Sequence, residues 1–251
     1  MIPNQFHFVF GLKEDFGGKP FNILHYLAIK SAYDLNKPDA MYFYYMYEPS
    51  GEYWNKAKPY LTLVQVEAPT EIFGNPLTHV AHKADIIRLQ ALYENGGIYM
   101  DLDTICVKSF EPLLKEKTVL GIQGHGTSPT TAYGLCNAII LAEKESEFIG
   151  YWLSQYTDFN SAYWDSHSVQ LPLYLSQTTD LPITTLPYNA FHYPLYTPEG
   201  VDDLFKHNKE YPEAYAHHLW ESNSWSYIQL LTEDYIKTTD TTYNKIARQF
   251  I

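Results

Sequence analysis

The chain predicts an α/β fold: a largely parallel sheet covered by helices. Three observations lead there. Short apolar runs alternate with helical stretches from the N-terminus to Asp101, as they do where a sheet is buried between helix layers. The runs are bounded by Gly or Pro, as strands are. One helical stretch closes on Asn95-Gly96-Gly97 and passes at once into another apolar run, a helix returning directly to its sheet.

Phe6 to Phe10 is a nearly continuous apolar run ending at Gly11, a buried first strand. After Lys19-Pro20 a helix is predicted from Phe21 to about Leu35, with Ile23, Leu27 and Leu35 roughly on one face. Met41 to Tyr47 reads as a second strand, and Leu61 to Val66, between Pro59 and Pro69, as a third. His79 to Asn95 is helical, and Ile98 to Met100 is a fourth strand leading into Asp101. Beyond it, Val119 to Ile122 and Asn137 to Ala142 are strand-like, Gly124 to Pro129 is expected to be a loop, and Glu145 to Tyr156 a helix. Ser161 to Pro198, rich in Pro, Tyr and Thr, matches no template. With 251 residues, no repeat and no low-complexity linker, one domain spanning residues 1–251 is expected.

Composition excludes several classes. Apolar residues at 45% and charged residues at 18% are ordinary for a folded globular chain. A net charge of −12 with no basic stripe argues against nucleic acid as a partner. Cys106 and Cys136 form no CxxC, so neither a disulfide framework nor a zinc site is indicated, and two free thiols fit a reducing compartment. No apolar run approaches the roughly 20 residues that span a bilayer, and the N-terminus lacks a basic, cleavable leader. The expectation is a soluble, cytoplasmic protein without a transmembrane segment. Aromatics reach 16%, 23 of them Tyr, which supplies flat apolar faces with polar tips for sugars and bases.

The chemistry concentrates between Lys83 and Cys106. Asp101 and Asp103 follow a short apolar strand, and ligands of open α/β sheets sit beyond the C-terminal strand ends. Paired carboxylates suit a hard cation such as Mn²⁺ or Mg²⁺, which commonly completes its shell with substrate phosphate oxygens. In an acidic protein, such an ion supplies the local positive charge an anionic nucleotide needs. Asp85 and Arg88 share a helix face. Read alone they are a solvated ion pair worth ~0.3 kcal/mol; beside the Gly-Gly turn their face can look toward Asp101.

Asp85-x-x-Arg88, Gly96-Gly97-Ile98-Tyr99 and Asp101-x-Asp103 together resemble the signature of the DXD-motif sugar-binding-region glycosyltransferases: family 32, the yeast initiating mannosyltransferases, the α-1,4-galactosyltransferases and the glucosyltransferase domains of clostridial toxins. The compound motif is specific, and the remaining pieces follow in the family's order over roughly the whole chain. The resemblance implies a GT-A fold (a Rossmann-like sheet flanked by helices), a nucleotide-sugar donor (a UDP-sugar, else GDP-mannose), a carbohydrate acceptor, a Mn²⁺ or Mg²⁺ ion and transfer of a hexose with retention. It implies that Asp85 and Arg88 meet the donor sugar, that Asp101 and Asp103 meet ribose, metal and diphosphate, and that Tyr99 and Leu102 lie beside them, Asp85, Arg88 and Asp101 being the catalytic set. Phe8, Val9 and Phe10 match the family's first strand, with Phe10 where many members stack a Trp on the base. Asn137 would face the sugar. The late His217-His218-Leu219-Trp220 and Asn223-Ser224-Trp225 resemble an element that closes over the donor, with Trp225 against the nucleotide and His218 as third metal ligand, chosen over His217, Glu221 and Ser224. Two departures, Lys83-Ala84 where members often have Ser and Gln170-Leu171-Pro172 where they have Gly-Pro, leave the acceptor open.

Two other classes compete. A magnesium-dependent aspartyl phosphohydrolase also uses Asp-x-Asp, but wants it near the N-terminus with Thr or Val in the fifth position, which here is Ile105. A non-enzymatic carbohydrate-binding module would explain the aromatic content alone.

Overall fold

The computed structural model describes every residue except Thr127. In chain order it contains β1 (Gln5–Val9), α1 (Ile23–Asn36), β2 (Ala40–Tyr45), α2 (Glu52–Ala57), β3 (Thr62–Gln65), the two-residue strands β4 (Glu71–Ile72) and β5 (Asn75–Pro76), α3 (Val80–Asn95), β6 (Gly97–Met100) and β7 (Thr104–Cys106). There follow β8 (Thr118–His125), β9 (Ser128–Ala142), α4 (Glu147–Ser154), α5 (Leu171–Thr178), β10 (Thr184–Leu186), α6 (Pro198–Phe205), β11 (Ala216–His218), α7 (Glu221–Ile228), α8 (Glu233–Thr238) and α9 (Thr242–Ala247). Among the described residues no helix is long and apolar enough to cross a membrane.

Seven strands make one sheet in the order β10-β8-β9-β6-β1-β2-β3. β6, β1, β2 and β3 run parallel, as the alternation predicts. β9 corrects that picture locally: it lies antiparallel to both β6 and β8. The expected loop at 124–129 is also mostly strand, since β8 runs through His125 and β9 resumes at Ser128; Thr127 lies outside the described residues.

Period-two alternation sorts the core. Ile98 and Met100 pack with Phe6, Phe8 and Phe43 on one side of the sheet. Tyr99 points the other way, among Leu89 and Leu92 of α3, Ile140 and Trp152. α1 starts cleanly because the Asn22 side chain accepts from the Leu24 N–H at 2.9 Å while the His25 ring accepts from the Asn22 N–H at 3.2 Å. Its Leu24 and Leu27 carry a further cluster with Leu204, Phe205, Trp220 and Tyr243, which fixes the C-terminal helices.

The Gly-Gly stop is a packing requirement. Gly96 and Gly97 have φ of +67° and +116°, where a side chain is strained. A Cβ on Gly97 would lie 2.6 Å from the Gln5 carbonyl oxygen and 2.9 Å from His7 Nε2. The close approach lets the buried His7 donate from Nε2 to the Gly96 carbonyl at 2.8 Å and accept at Nδ1 from the Tyr44 hydroxyl at 3.1 Å.

Candidate active site

α3 returns to β6 through this turn, so one of its faces is laid against the C-terminal end of the strand. His82, Asp85 and Arg88 fall on that face at intervals of three residues and are all buried. Together with Asp101, Asp103, Asn137 and His218 they line a cavity of about 440 Å³.

Arg88 is the hub beneath it. Its Nη1 donates to the Asn137 carbonyl at 2.8 Å and approaches Asp101 Oδ1 at 3.2 Å, and its Nη2 lies 3.4 Å from Asp85 Oδ1. Its guanidinium sits over the Tyr99 ring at 4.4 Å. Burial alone would loosen the Arg88 proton; the carboxylates of Asp101 and Asp85 reverse that and hold it more firmly. The solvated ion pair expected of Asp85 and Arg88 read alone is therefore not what forms: both side chains are sealed and shared with β6 and β9. Asn137 completes the set by donating to Asp85 Oδ1 at 2.7 Å.

Tyr99 is wholly buried. It does not line the cavity; its hydroxyl donates to Asp101 Oδ1 at 2.5 Å, beneath the cavity wall. Burial raises the Asp101 carboxyl, with Arg88 pulling the other way.

His218 arrives from the other end of the chain. β11 pairs antiparallel with β7 in the register His218–Thr104, which sets its ring beside Asp103. Its Nε2 lies 3.3 Å from Asp103 Oδ2, and the Leu219 N–H donates to the Asp103 carbonyl at 2.7 Å. Burial would lower the His218 pKa, but the Asp103 carboxylate overrides it and raises it to about 10. Burial would raise Asp103, and His218 reverses that to hold it far below the usual carboxylate range. The other candidates for this place are engaged elsewhere. His217 faces away and donates from Nδ1 to the Tyr193 carbonyl at 2.9 Å; the Glu221 carboxylate meets the His25 ring at 3.1 Å; the Ser224 hydroxyl donates to the Leu219 carbonyl at 2.6 Å. Glu221 contributes through its backbone, whose N–H donates to Asp103 Oδ2 at 2.9 Å.

Ligand atoms of Asp101, Asp103 and His218 thus lie within 4.8 Å of one another. Two carboxylates and an imidazole fit the Mn²⁺ or Mg²⁺ expected of an acid pair at a strand end.

Other expected site residues stand apart. The Phe8 side chain, on the core-facing side of β1, is fully buried, and Leu102, in the turn between the two acids, packs in the same cluster. Val9 and Phe10 line a separate cavity of about 160 Å³ with Phe16, Val80 and Ala84. One face of the half-buried Phe10 stacks on Phe16 with centroids 5.6 Å apart. Trp225 is half-buried on α7 under the Lys19 ammonium, 5.3 Å from its ring centroid, and does not line the main cavity. Trp220, from the late element expected to close over the donor, does line it, and so do Gln123, Tyr133, Trp164 and Tyr196, which the sequence did not mark. Gln123, a polar residue inside an apolar strand, could have been noticed; Tyr133 and Tyr196 were hidden among many tyrosines.

A strand-end acid pair facing a cavity over such a sheet is the architecture of a GT-A glycosyltransferase. The fold is similar to mouse xyloside xylosyltransferase 1 (TM-score 0.52, 9% identity, 87% of this chain and 98% of that one). It is also similar to the glycosyltransferase GlyE of Streptococcus pneumoniae TIGR4 (TM-score 0.52, 10% identity, 100% of this chain and 60% of that one). The profile of the glycosyltransferase sugar-binding region containing DXD motif matches residues 25–120. Glucan organizing enzyme 1 of Cryptococcus neoformans var. grubii serotype A (strain H99) is 36% identical over 260 residues, covering 100% of this chain and 71% of that protein. The chain belongs to the DXD-motif sugar-binding-region glycosyltransferases. The phosphohydrolase and simple binding-module alternatives fall with that assignment.

Proposed function

We infer that this enzyme moves a hexose from a nucleotide-diphosphate sugar, with UDP-hexose the favoured donor and GDP-mannose next, to a hydroxyl of a glycan, with a divalent cation and with retention. One observation carries the reading: the convergence of Asp101, Asp103 and His218 on a cavity that also holds Asp85 and Arg88. The name of the fungal relative refers to glucan, which supports a polysaccharide acceptor.

Asp101, Asp103 and His218 would hold the cation, which when bound neutralises charge developing on the departing diphosphate. Asp85 is oriented by Asn137 and Arg88 to accept hydrogen bonds from donor-sugar hydroxyls. Arg88 holds Asp85 and Asp101 in register, and its charge faces the same sugar. Ser222 and Asn223, in the first turn of α7, stand on the cavity wall beside the acid pair, where their side chains can meet donor oxygens. Retention is what the family resemblance implies, and the state of the carboxylates argues against a covalent sugar–enzyme intermediate on that path. Asp85 is tied to Asn137, Asp165 to Tyr133 and Gln170, and Glu221 to His25. None is poised as a free nucleophile in the manner of a double-displacement glycosidase. The acceptor oxygen then joins the anomeric carbon on the face the diphosphate leaves, through an oxocarbenium-like state, and the acceptor proton departs on the diphosphate.

Thermal unfolding against a panel of nucleotide sugars, with and without Mn²⁺, tests the reading. Ligands that bind the folded state raise its stability by mass action. A rise with UDP-hexose that requires Mn²⁺ is expected; no rise with any nucleotide sugar in the presence of Mn²⁺ would overturn it.

A further inference from the structure

Beneath the acid pair lies a second group of metal-ligating atoms. The Cys136 thiol and the rings of His192 and His218 place one ligand atom each within 4.8 Å of one another, and all three residues are buried. Among the described residues neither nitrogen of His192 nor Nδ1 of His218 makes a hydrogen bond of ordinary geometry, and the polar group beside both rings is Cys136. Orphaned buried imidazole nitrogens call for an explanation, an unseen ion among them. The His192 and His218 rings stand 5.8 Å apart between centroids and 72° to each other, edge to face, around the Cys136 side chain that lines the cavity. The backbone supports the grouping: the His218 N–H donates to the carbonyl of Phe191 at 3.0 Å, which fixes β11 beside the segment carrying His192.

We propose that Cys136, His192 and Nδ1 of His218 form a Zn²⁺ site, open on its fourth side to the main cavity. One thiolate and two imidazoles are borderline-soft donors that favour zinc over manganese or magnesium. Tetrahedral zinc sets such atoms about 3.5 Å apart, so modest side-chain rotation closes the group on the ion. On binding, the thiol proton and the proton on Nδ1 of His218 leave to water, and the sulfur and the two ring nitrogens each donate an electron pair.

The site has a consequence for the first one. A neutral imidazole has one lone pair and one N–H. With zinc on Nδ1, the His218 proton sits on Nε2 and is donated to Asp103, so Nε2 cannot ligate a hard cation. Zinc therefore excludes Mn²⁺ from the acid pair and acts as an inhibitor. Only this exclusion rests on the reading of His218 as a ligand in the transferase site; zinc binding itself does not.

The test uses the full chain without nucleotide. Co²⁺, a spectroscopic stand-in for zinc, should give one thiolate-to-cobalt charge-transfer band that saturates at one equivalent and is displaced by Zn²⁺. Cys136→Ser should abolish the band and weaken zinc binding by roughly 100-fold or more, and His192→Gln by roughly tenfold or more. Cys106→Ala, at the other thiol, should keep both properties. Circular dichroism checks each fold, and His192→Gln decides the matter if Cys136→Ser does not fold. A band absent from the unmodified chain, or zinc affinity lost in Asp103→Asn but unchanged in Cys136→Ser, overturns the site. Release of bound Mn²⁺ by one equivalent of Zn²⁺, followed by electron paramagnetic resonance, tests the exclusion; Mn²⁺ retained alongside the cobalt band overturns it. A chain that shows the band and never binds Mn²⁺ supports the zinc site while refuting the hard-cation reading, so the two fail separately.

Discussion

Asp103 and Arg88 illustrate how differently two polar residues of one motif can act. Asp103 is held by His218 and the Glu221 N–H with its carboxylate turned to the cavity wall. Asp103→Asn keeps the shape and removes the charge. Metal-dependent glycosyl transfer is expected to fall at least about 100-fold, on the scale of losing a preorganised charge, with an unchanged circular dichroism spectrum. Full activity in that variant would remove the carboxylate from the mechanism. Arg88 is a support: its side chain is 5% exposed and bound to Asp85, Asp101 and Asn137. Arg88→Ala leaves buried carboxylates uncompensated, and a loss of about 3–5 kcal/mol in urea unfolding is expected together with loss of turnover. A variant as stable as the parent would show that the ion pairs do not hold the site. At this scale the sequence was informative. Spacing and the Gly-Gly return allowed Asp85 and Arg88 to face Asp101, but read alone they were a solvated ion pair, and it was the family resemblance that grouped them with Asp101 and Asp103. The inward turn of Phe8 was also implicit in the two-residue period, whereas that of Leu102, in a turn, was not; a family motif marks a stretch of chain without saying which of its side chains face the ligand.

Short elements do the positioning. β7 and β11 are three residues each, yet their register carries His218 across the molecule to Asp103. Neither could be read beforehand, since three residues are too few to show a period. β10, equally short, lay in the unassigned Pro- and Thr-rich segment, and the antiparallel course of β9 depends on pairing that no local pattern encodes. The face of α3 was hard to interpret for another reason: beside its apolar buried side, the stripe that meets the cavity is His82, Asp85 and Arg88, buried polar residues that apolar periodicity does not mark. The Gly-Gly turn, by contrast, was legible and can be tested. Gly97→Ala places a methyl group against the Gln5 carbonyl at a φ of +116°. A cost of about 1–3 kcal/mol in chemical denaturation is expected from the backbone strain, and a neutral result would show that the turn relaxes.

Across the whole molecule, burial of histidine makes stability depend on pH. Desolvation, opposed only in part by the Gly96 carbonyl, lowers His7 from 6.5 to about 4. The folded state therefore keeps the ring neutral where the unfolded chain takes up a proton. The stabilisation is complete above about pH 6.5 and is lost as pH falls toward 4, levelling below that, with an upper bound of about 3 kcal/mol. Unfolding at pH 7.5, 5.5 and 4.5 should show this decline, and His7→Gln should make it shallower, with the remainder carried by His217 and His192, which burial also lowers. An equal slope in the variant would place the acid sensitivity elsewhere.

The sheet, α3, the start of α7 and the late strand all converge on one cavity, and the transferase reading depends on what binds at its acid pair. Crystals soaked with Mn²⁺ and uridine diphosphate, measured at the manganese absorption edge, test this most directly. An anomalous peak coordinated by Asp101, Asp103 and Nε2 of His218, with diphosphate oxygens completing its shell, is the expected result. A peak at any other position, or diphosphate bound away from those three side chains, would contradict it.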